Sequence, residues 1–445
     1  MAEIKKYPTK PFECWDKAKE LRMDIYRRIA QAKEKGWIVA SGGTEALIAV
    51  PAGLGDDYIP FGGEPYGAST AALGLSEKFM EGCEAKGYAR DLCGYCRNYL
   101  GSVFLNQYAF GGPYPEPTFY YQLHACDTHG KWYQPVAEYT KRPYFAIDGG
   151  NLYRWPQWKE SEKRRKNKLD YMAAQIHDSI EWMEKVTGRE YDDEKLINAV
   201  HNEMVSTSLW AKCCELNKNI PAVMDLKTLY SFYVVAVLRR HTKEAVEFYH
   251  MLYDELKERA AQGIAAIANE RYRMLHDSQP PWHALRMYRY IETFGIVIVG
   301  SHYDYMLSGG WELYYEDGKP YVRAATPIPK EKLKTRDDAV RALAHWILEH
   351  HLILRFFRFP VIGRTDIPVA LARDWKCDGV IVHLNRGCES LAMSQLEVRQ
   401  ALINAGLPVL TYEGNVADPR EFDEARTLAR IDAFMESQGL KRLVE

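Results

Sequence analysis

Long apolar runs are missing from this chain. No stretch approaches the roughly eighteen uninterrupted apolar residues of a membrane span, and the opening MAEIKKYPTKPFECW has no apolar signal-peptide core. The expectation is a cytoplasmic protein with no membrane partner. Net charge is nearly absent as well: 58 Lys and Arg stand against 60 Asp and Glu, for a formal net charge of -2. A general nucleic-acid binder would carry a strongly basic surface, so no nucleic-acid partner is expected. The run EKRRKNK, Glu162 to Lys168, sits in a helical pattern with acids nearby and reads as a solvated helix face. The chain also lacks a G-x-x-x-x-G-K-[ST] phosphate loop, a G-x-G-x-x-G followed by a placed acid, and a G-x-S-x-G elbow. If the chemistry requires ATP or a nicotinamide, another polypeptide brings it. Low-complexity tracts and short repeats are absent too.

What is there is the composition of a globular protein, 47% hydrophobic and 27% charged over 445 residues, long enough for two or three separate cores. Nine cysteines in so long a chain do not make a disulfide framework. In a reducing compartment, an ordered set of them points to metal or redox chemistry.

The patterning divides the chain. Residues 1–35 form an N-terminal helical segment, with an amphipathic helix from about Trp15 to Lys35. Residues 36–155 read as a first α/β domain: strand Trp37 to Ala40, helix Glu45 to Ala52, strand Tyr58 to Phe61, strand Thr118 to Leu123, helix Thr128 to Tyr139 and strand Pro143 to Ile147. Residues 156–280 are mainly helical, with little β signal beyond SFYVVAVLRR. Residues 281–445 return to α/β grammar through GIVIVG, DIPVALARDWK, GVIVH, the single helical pattern SLAMSQLEVRQALINAG, and PVLTYE. The expected fold class is α/β, with two Rossmann-like parallel-sheet domains and a helical middle region.

Three cysteines fall where such a fold puts its chemistry. Cys93 opens the helix near CGYCRNYLG, Cys126 follows the strand Thr118 to Leu123, and Cys388 follows the strand Gly379 to His383, just before a helix. Strand-to-helix loops gather at the carboxyl edge of a parallel sheet, where ligands bind. Backbone N–H groups and the helix dipole favour thiolates there. A structural zinc normally takes four ligands from paired short-spaced knuckles, and this chain has one C-x-x-C with no partner. An iron–sulfur cube can be held by three thiolates, leaving one iron open. The plainer readings stand beside this one. Cys93 and Cys96 lie three apart and share a helix face, so both can simply be packed. Vicinal Cys213 and Cys214 fit a buried helix interior, and Cys14, Cys83 and Cys377 carry no assigned role. His124 and His129 flank Cys126 and permit a mixed zinc site, although hydrogen-bonding spacers are the commoner use. His124, His129 and Glu413, near strand ends, are the candidate proton donors.

The segments TEALIAVPAGL, DLCGYCRNYLG, HACDTHGKWY, GVIVHLNRGCES and GLPVLTYEGNVADPREFDEARTLARIDAF, in this order and spacing, resemble the family that groups benzoyl-CoA reductase subunits with 2-hydroxyacyl-CoA dehydratase subunits. The resemblance implies a [4Fe–4S] cluster held by Cys93, Cys126 and Cys388. At Cys96 a non-thiol residue is usual, which makes Cys96 an alternative or fourth ligand. Asp127, Lys131, Trp132 and Arg430 match family positions, where a supporting or packing role is implied. The implied chemistry passes one low-potential electron to a CoA thioester, giving a ketyl-like radical anion; the outcome is ring reduction in the reductases and loss of the 2-hydroxyl in the dehydratases. The implied partners are a paralogous cluster-bearing subunit, ATP-hydrolysing electron-activating subunits, a ferredoxin-type electron donor and an acyl-CoA substrate. The length and the opening KKYPTKPFECWDKAKELR look closest to the larger cluster-bearing subunit of an ATP-dependent benzoyl-CoA reductase, an oxidoreductase giving a cyclohexadienoyl-CoA. The alternatives are a dehydratase subunit, a non-catalytic electron-relay or structural subunit, and a zinc-stabilised binding protein.

Overall fold

The computed structural model describes residues 5–43, 47–149, 161–354 and 362–443. Among the described residues, two four-stranded parallel sheets organise the fold. The first contains β1 (Ile38–Gly42), β2 (Tyr58–Gly62), β3 (Phe119–His124) and β4 (Tyr144–Asp148) in the order β2-β1-β3-β4. The second contains β5 (Tyr272–Asp277), β6 (Ile296–Ser301), β9 (Gly379–Arg386) and β10 (Val409–Asn415) in the order β10-β9-β5-β6. Counted along the chain within each sheet, both orders are second-first-third-fourth. The α/β reading of the sequence therefore holds, and the two sheets share one winding.

Burial explains why these runs become central strands. In β3 every residue but His124 is buried, and in β9 the run Gly379 to His383 is buried throughout. A strand covered on both faces reads as a continuous apolar run, as parallel strands do. The first helix, Trp15–Lys35, buries Ala18, Leu21, Ile25, Tyr26, Ile29 and Ala32 at helical spacing and ends on Gly36 at φ 68, a left-handed cap that glycine adopts without strain. Helices Glu162–Thr187, Asp193–Glu215, Leu226–Arg239 and Lys243–Gln262 fill the middle of the chain. Among the described residues, no helix is long and apolar enough to cross a membrane.

Several local expectations change. The run SFYVVAVLRR lies in the helix Leu226–Arg239, capped by Asp225 through the Thr228 N–H. Its Val and aromatic side chains are almost all buried, so tertiary contact overrides a β-branched preference. Conversely, β5 lies in a stretch expected to be helical: YRML continues the charged pattern before it, and only its pairing with β6 and β9 makes it the inner strand. The expected helix Glu45 to Ala52 is, in its described part, a 3-10 turn Val50–Leu54 with Pro51 at its start; residues 44–46 lie outside the described residues, as do residues 150–155 at the end of the expected first domain. SLAMSQLEVRQALINAG forms two helices, Glu389–Ala392 and Gln395–Asn404, broken at Ser394 with φ 62. An unforeseen antiparallel hairpin, β7 (Trp311–Glu316) and β8 (Lys319–Ala324), turns on Asp317 and Gly318, both at positive φ, the Asp-Gly chemistry of a tight hairpin turn.

A buried charge network joins the two sheets' layers. Arg97, on the helix Gly94–Phe104, and Asp418, just after β10, both have fully buried side chains, and Arg97 Nη1 donates to Asp418 Oδ2 at 2.9 Å. Arg97 also donates to Glu84 at 3.1 Å and, through Nε, to the Leu92 carbonyl at 2.9 Å. Arg420 bridges the same two carboxylates, reaching Glu84 at 2.5 Å and Asp418 at 2.8 Å. Burial alone would raise the Asp418 carboxyl, but the hydrogen bonds from Arg420 and Arg97 outweigh it and hold it down at about 2.

Removing Asp418 leaves the buried Arg97 guanidinium with only the more exposed Glu84 carboxylate and the Leu92 carbonyl as partners, so Asp418→Ala is expected to lower the unfolding free energy in urea by about 3 kcal/mol, the lower end of the cost of breaking a buried pair. A loss no larger than that of an exposed pair, under about 1 kcal/mol, would show that the network carries no net stability. Because the folded carboxyl titrates below its unfolded value of about 4, its contribution is complete above that pH. It is lost as the pH falls toward 2, and the variant is expected to lack that segment of the acid-denaturation curve.

Candidate functional site

The carboxyl ends of both sheets face one cavity of about 820 Å3, lined by residues that include Cys93, Cys96 and Cys388. Cys126 immediately precedes Asp127, Thr128 and Lys131 of the same lining and lies close enough to bear electrostatically on Cys93 and Cys388. Local structure puts all three cysteines in one role. Cys93 is the residue before the helix Gly94–Phe104, Cys126 the residue before the helix Asp127–Thr140, and Cys388 the residue before the single turn Glu389–Ala392. The first N–H groups of a helix have no partner within it and point outward. Those of Tyr95 and Cys96 near Cys93, and that of Leu391 near Cys388, make no capping hydrogen bond to the sulfur but lie close enough to favour its thiolate form.

Topology adds a second regularity. Cys126 follows the third strand of its sheet and Cys388 the third strand of the other. In each sheet the chain runs to one side of its first strand and then crosses to the other, so first and third strands flank the switch point where α/β sheets bind ligands. Two glycines let the loops meet. A Cβ on Gly94 would stand 2.4 Å from Asn415 Oδ1, and one on Gly387, at φ 75, would stand 3.0 Å from the Asp91 carbonyl oxygen.

The sulfurs are costly to charge where they stand. Burial pushes the Cys93 thiol up to about 12, with Cys388 and Cys126 adding repulsion, and burial also raises Cys388 against the opposing pull of Gln279 and Arg364. Cys96 lies well above the ordinary thiol range for the same reason, with Cys93 the next contributor. Several thiols crowded in a low dielectric favour a polycation that takes the place of their protons. Among the described residues no three His, Cys, Asp or Glu groups are gathered so as to hold a metal ion. A single ion draws its ligands to within about 2.3 Å, whereas a cube spaces its thiolates over separate irons. Cys93 and Cys388 in the cavity wall and Cys126 one residue before it, each at a helix or turn start, fit the cube better than a lone zinc. At the cavity wall the neighbouring Asp127 carboxyl raises that of Glu389.

The other expected residues divide cleanly. Asp127, Lys131 and Trp132 line the cavity. Arg430 does not: it donates to the Thr411 carbonyl at 3.1 Å on another face. Of the candidate proton donors, His129 is buried against Glu64, Glu413 pairs with Arg386 at 2.9 Å, and His124 is exposed at the end of β3; none lines the cavity. All nine cysteines are free thiols, and Cys213 and Cys214 are fully buried, as packing predicts. Residues that sequence reasoning missed include Arg364, 2% exposed beside Cys388, and Gln279, whose Nε2 lies 3.4 Å from Cys388 Sγ. Recognising β5 would have marked Gln279, since it stands two residues beyond that strand's carboxyl end.

Residues 57–437 match the family model described as 2-hydroxyglutaryl-CoA dehydratase, D-component. The chain belongs to this family. It is 26% identical to the (R)-2-hydroxyisocaproyl-CoA dehydratase alpha subunit of Clostridioides difficile, over 84% of each chain. It is 24% identical to the (R)-phenyllactyl-CoA dehydratase alpha subunit of Clostridium sporogenes, over 86% of this chain and 85% of that one. A benzoyl-CoA reductase subunit of Thauera aromatica is 22% identical over 96% of this chain and 94% of its own. The D-component match runs through all three cysteines and both sheets except β1.

Gly387→Ala tests the loop contact. A left-handed φ costs an L-residue about 1–2 kcal/mol, and the added methyl presses on the Asp91 carbonyl. The variant is expected to lose about that much unfolding free energy; equal stability would show that the loop accommodates a side chain.

Proposed function

We propose that the chain is the cluster-bearing subunit of a hetero-oligomeric enzyme that passes single low-potential electrons to an acyl-CoA thioester, with Cys93, Cys126 and Cys388 as cluster ligands. The observation that supports this reading is that one large cavity is lined by Cys93 and Cys388, each at a helix or turn opening, and by Asp127 and Thr128 at the start of the helix that Cys126 opens. When bound, a [4Fe–4S] cluster supplies the electron. The chain's own residues hold it by thiolates, and Leu92, Leu100, Trp132 and Met393 in the cavity lining offer an apolar wall to an acyl group. Lys131 on the same wall can bear on developing negative charge. The subunit names of the relatives support a partner subunit across the cleft. The missing phosphate loop supports an ATP-hydrolysing activator as a separate chain, fed by a ferredoxin-type donor.

Of the two reactions in this family, benzoyl-CoA reduction to a cyclohexadienoyl-CoA is the first reading. Its support is the alignment with the Thauera aromatica benzoyl-CoA reductase chain over 96% of this one, against 84% and 86% for the two dehydratase alpha subunits described above. Dehydration of a 2-hydroxyacyl-CoA is the second reading, favoured by the higher identities, 26% and 24%, to those subunits.

The anaerobically assembled complex, given benzoyl-CoA, a strong reductant and ATP, is expected to form the diene with stoichiometric electron use. Water loss from a 2-hydroxyacyl-CoA with only catalytic electrons would replace the first reading by the second. Serine at position 93, 126 or 388 is expected to abolish turnover and to remove most iron and acid-labile sulfide. Cys96→Ser is expected to retain both, and its failure to do so would make Cys96 a ligand. Zinc without iron or sulfide in the wild-type chain would end the redox reading.

A further inference from the structure

The side chain of Gln279 is wired so that only its N–H end can face the sulfur of Cys388. Gln279 is 6% exposed, Asn385 1% and Ser278 fully buried, so water does not compete for their polar atoms. Gln279 Nε2 donates to Cys388 Sγ at 3.4 Å, while its Oε1 accepts from Asn385 Nδ2 at 2.9 Å and from the Ser278 hydroxyl at 3.0 Å. An amide's two ends differ only by the bonds they make, so the orientation needs an anchor that cannot turn. The anchor is the backbone N–H of Val416, which donates to Asn385 Oδ1 at 2.9 Å. A backbone N–H can only donate, so Asn385 must present its oxygen to Val416 and its NH2 to Gln279. Gln279 must then present its oxygen to Asn385 and its NH2 to the sulfur. Val416 is itself held by the Trp282 N–H on its carbonyl at 3.0 Å.

The loop that carries Gln279 is equally fixed. Ser278 sits at φ 73, an uncommon conformation for a residue with a side chain. Its carbonyl accepts from His276 Nδ1 at 3.2 Å, and the Gln279 carbonyl accepts from His383 Nδ1 at 2.6 Å. Gln279 follows the first strand of the second sheet and Cys388 the third, so the N–H···S bond spans the switch point.

We propose that the relay Val416–Asn385–Gln279 makes Gln279 a positioning residue for the cluster, an imposed donor to the Cys388 sulfur that raises the cluster's reduction potential. The inference rests on the cluster reading above. Donors to ligating sulfurs stabilise the more negative, reduced state, and hydrogen bonding is among the factors that set such potentials. Removing the donor should lower the potential enough to change the reduced-to-oxidised ratio at fixed ambient potential by about three- to tenfold, tenfold being about 59 mV for one electron.

The test is an anaerobic redox titration of the purified holo-complex followed by electron paramagnetic resonance, with iron and sulfide counts. Gln279→Met keeps length without a donor and is expected to lower the midpoint; Gln279→Glu, an acceptor at the same place, is expected to lower it further. Asn385→Asp removes the donor facing Gln279 and is expected to turn the amide over, so that one exchangeable-proton coupling to the cluster disappears although Gln279 is intact. A Met variant with full iron and sulfide and an unchanged midpoint overturns the proposal and leaves the cluster reading standing. Wild-type protein without iron and sulfide removes both. If both Gln279 variants lose the cluster, Asn385→Asp decides: loss of the coupling supports the relay, and its persistence overturns it.

Discussion

The buried ion pair between Arg97 and Asp418 is the constraint on which the site depends. Arg97 lies one turn beyond Cys93 on the same helix, and Asp418 follows β10, the neighbour of the strand that leads to Cys388. Two fully desolvated charges hold only when each satisfies the other with good geometry. Here Glu84 and Arg420 complete the set, and the Arg97 Nε–H tethers the Leu92 carbonyl just before Cys93. That pair ties the two cysteine loops together, so closely that a Cβ on Gly387 would press on the Asp91 carbonyl and one on Gly94 on the Asn415 side chain. The charge network is thus a ruler for sulfur placement as well as a weld between layers.

Within that frame, the two sheets contribute by equivalent rules. Each has the same winding, each places a cysteine after its third strand, and each aims the first N–H groups of the following helix or turn at that cysteine's surroundings. Cys93 is the exception, because it comes from a helix with no strand immediately before it. Of the thiols brought together in this way, Cys93 and Cys388 are poor anions, since burial opposes their charged form. Burial also strengthens hydrogen bonds at Cys388, which is 9% exposed. A donor held in one orientation by a chain of amides is therefore a device suited to this interior.

The composition, the absence of a phosphate loop, the α/β class and the three cysteines at helix starts were legible from residue order alone, because apolar periodicity and strand-to-helix junctions are local signals. Local signals failed where neighbours decide. YRML became an inner strand because β6 and β9 flank it, SFYVVAVLRR became a helix because it is packed throughout its length, and Ser394 broke a helix that the pattern ran through. His129 and Glu413 looked free to carry protons until their partners, Glu64 and Arg386, came from 65 and 27 positions away.

By itself, then, the sequence determined which residue types stood at the openings of helices, and so which thiols had N–H groups behind them. Only the tertiary structure decided that those openings face one cavity, that Arg430 does not, and that Gln279 meets Cys388 across 109 positions. The physical reason is that periodicity records how a segment meets water and its own backbone. The meeting of two loops depends on sheet order and on a buried charge pair whose partners lie 321 residues apart.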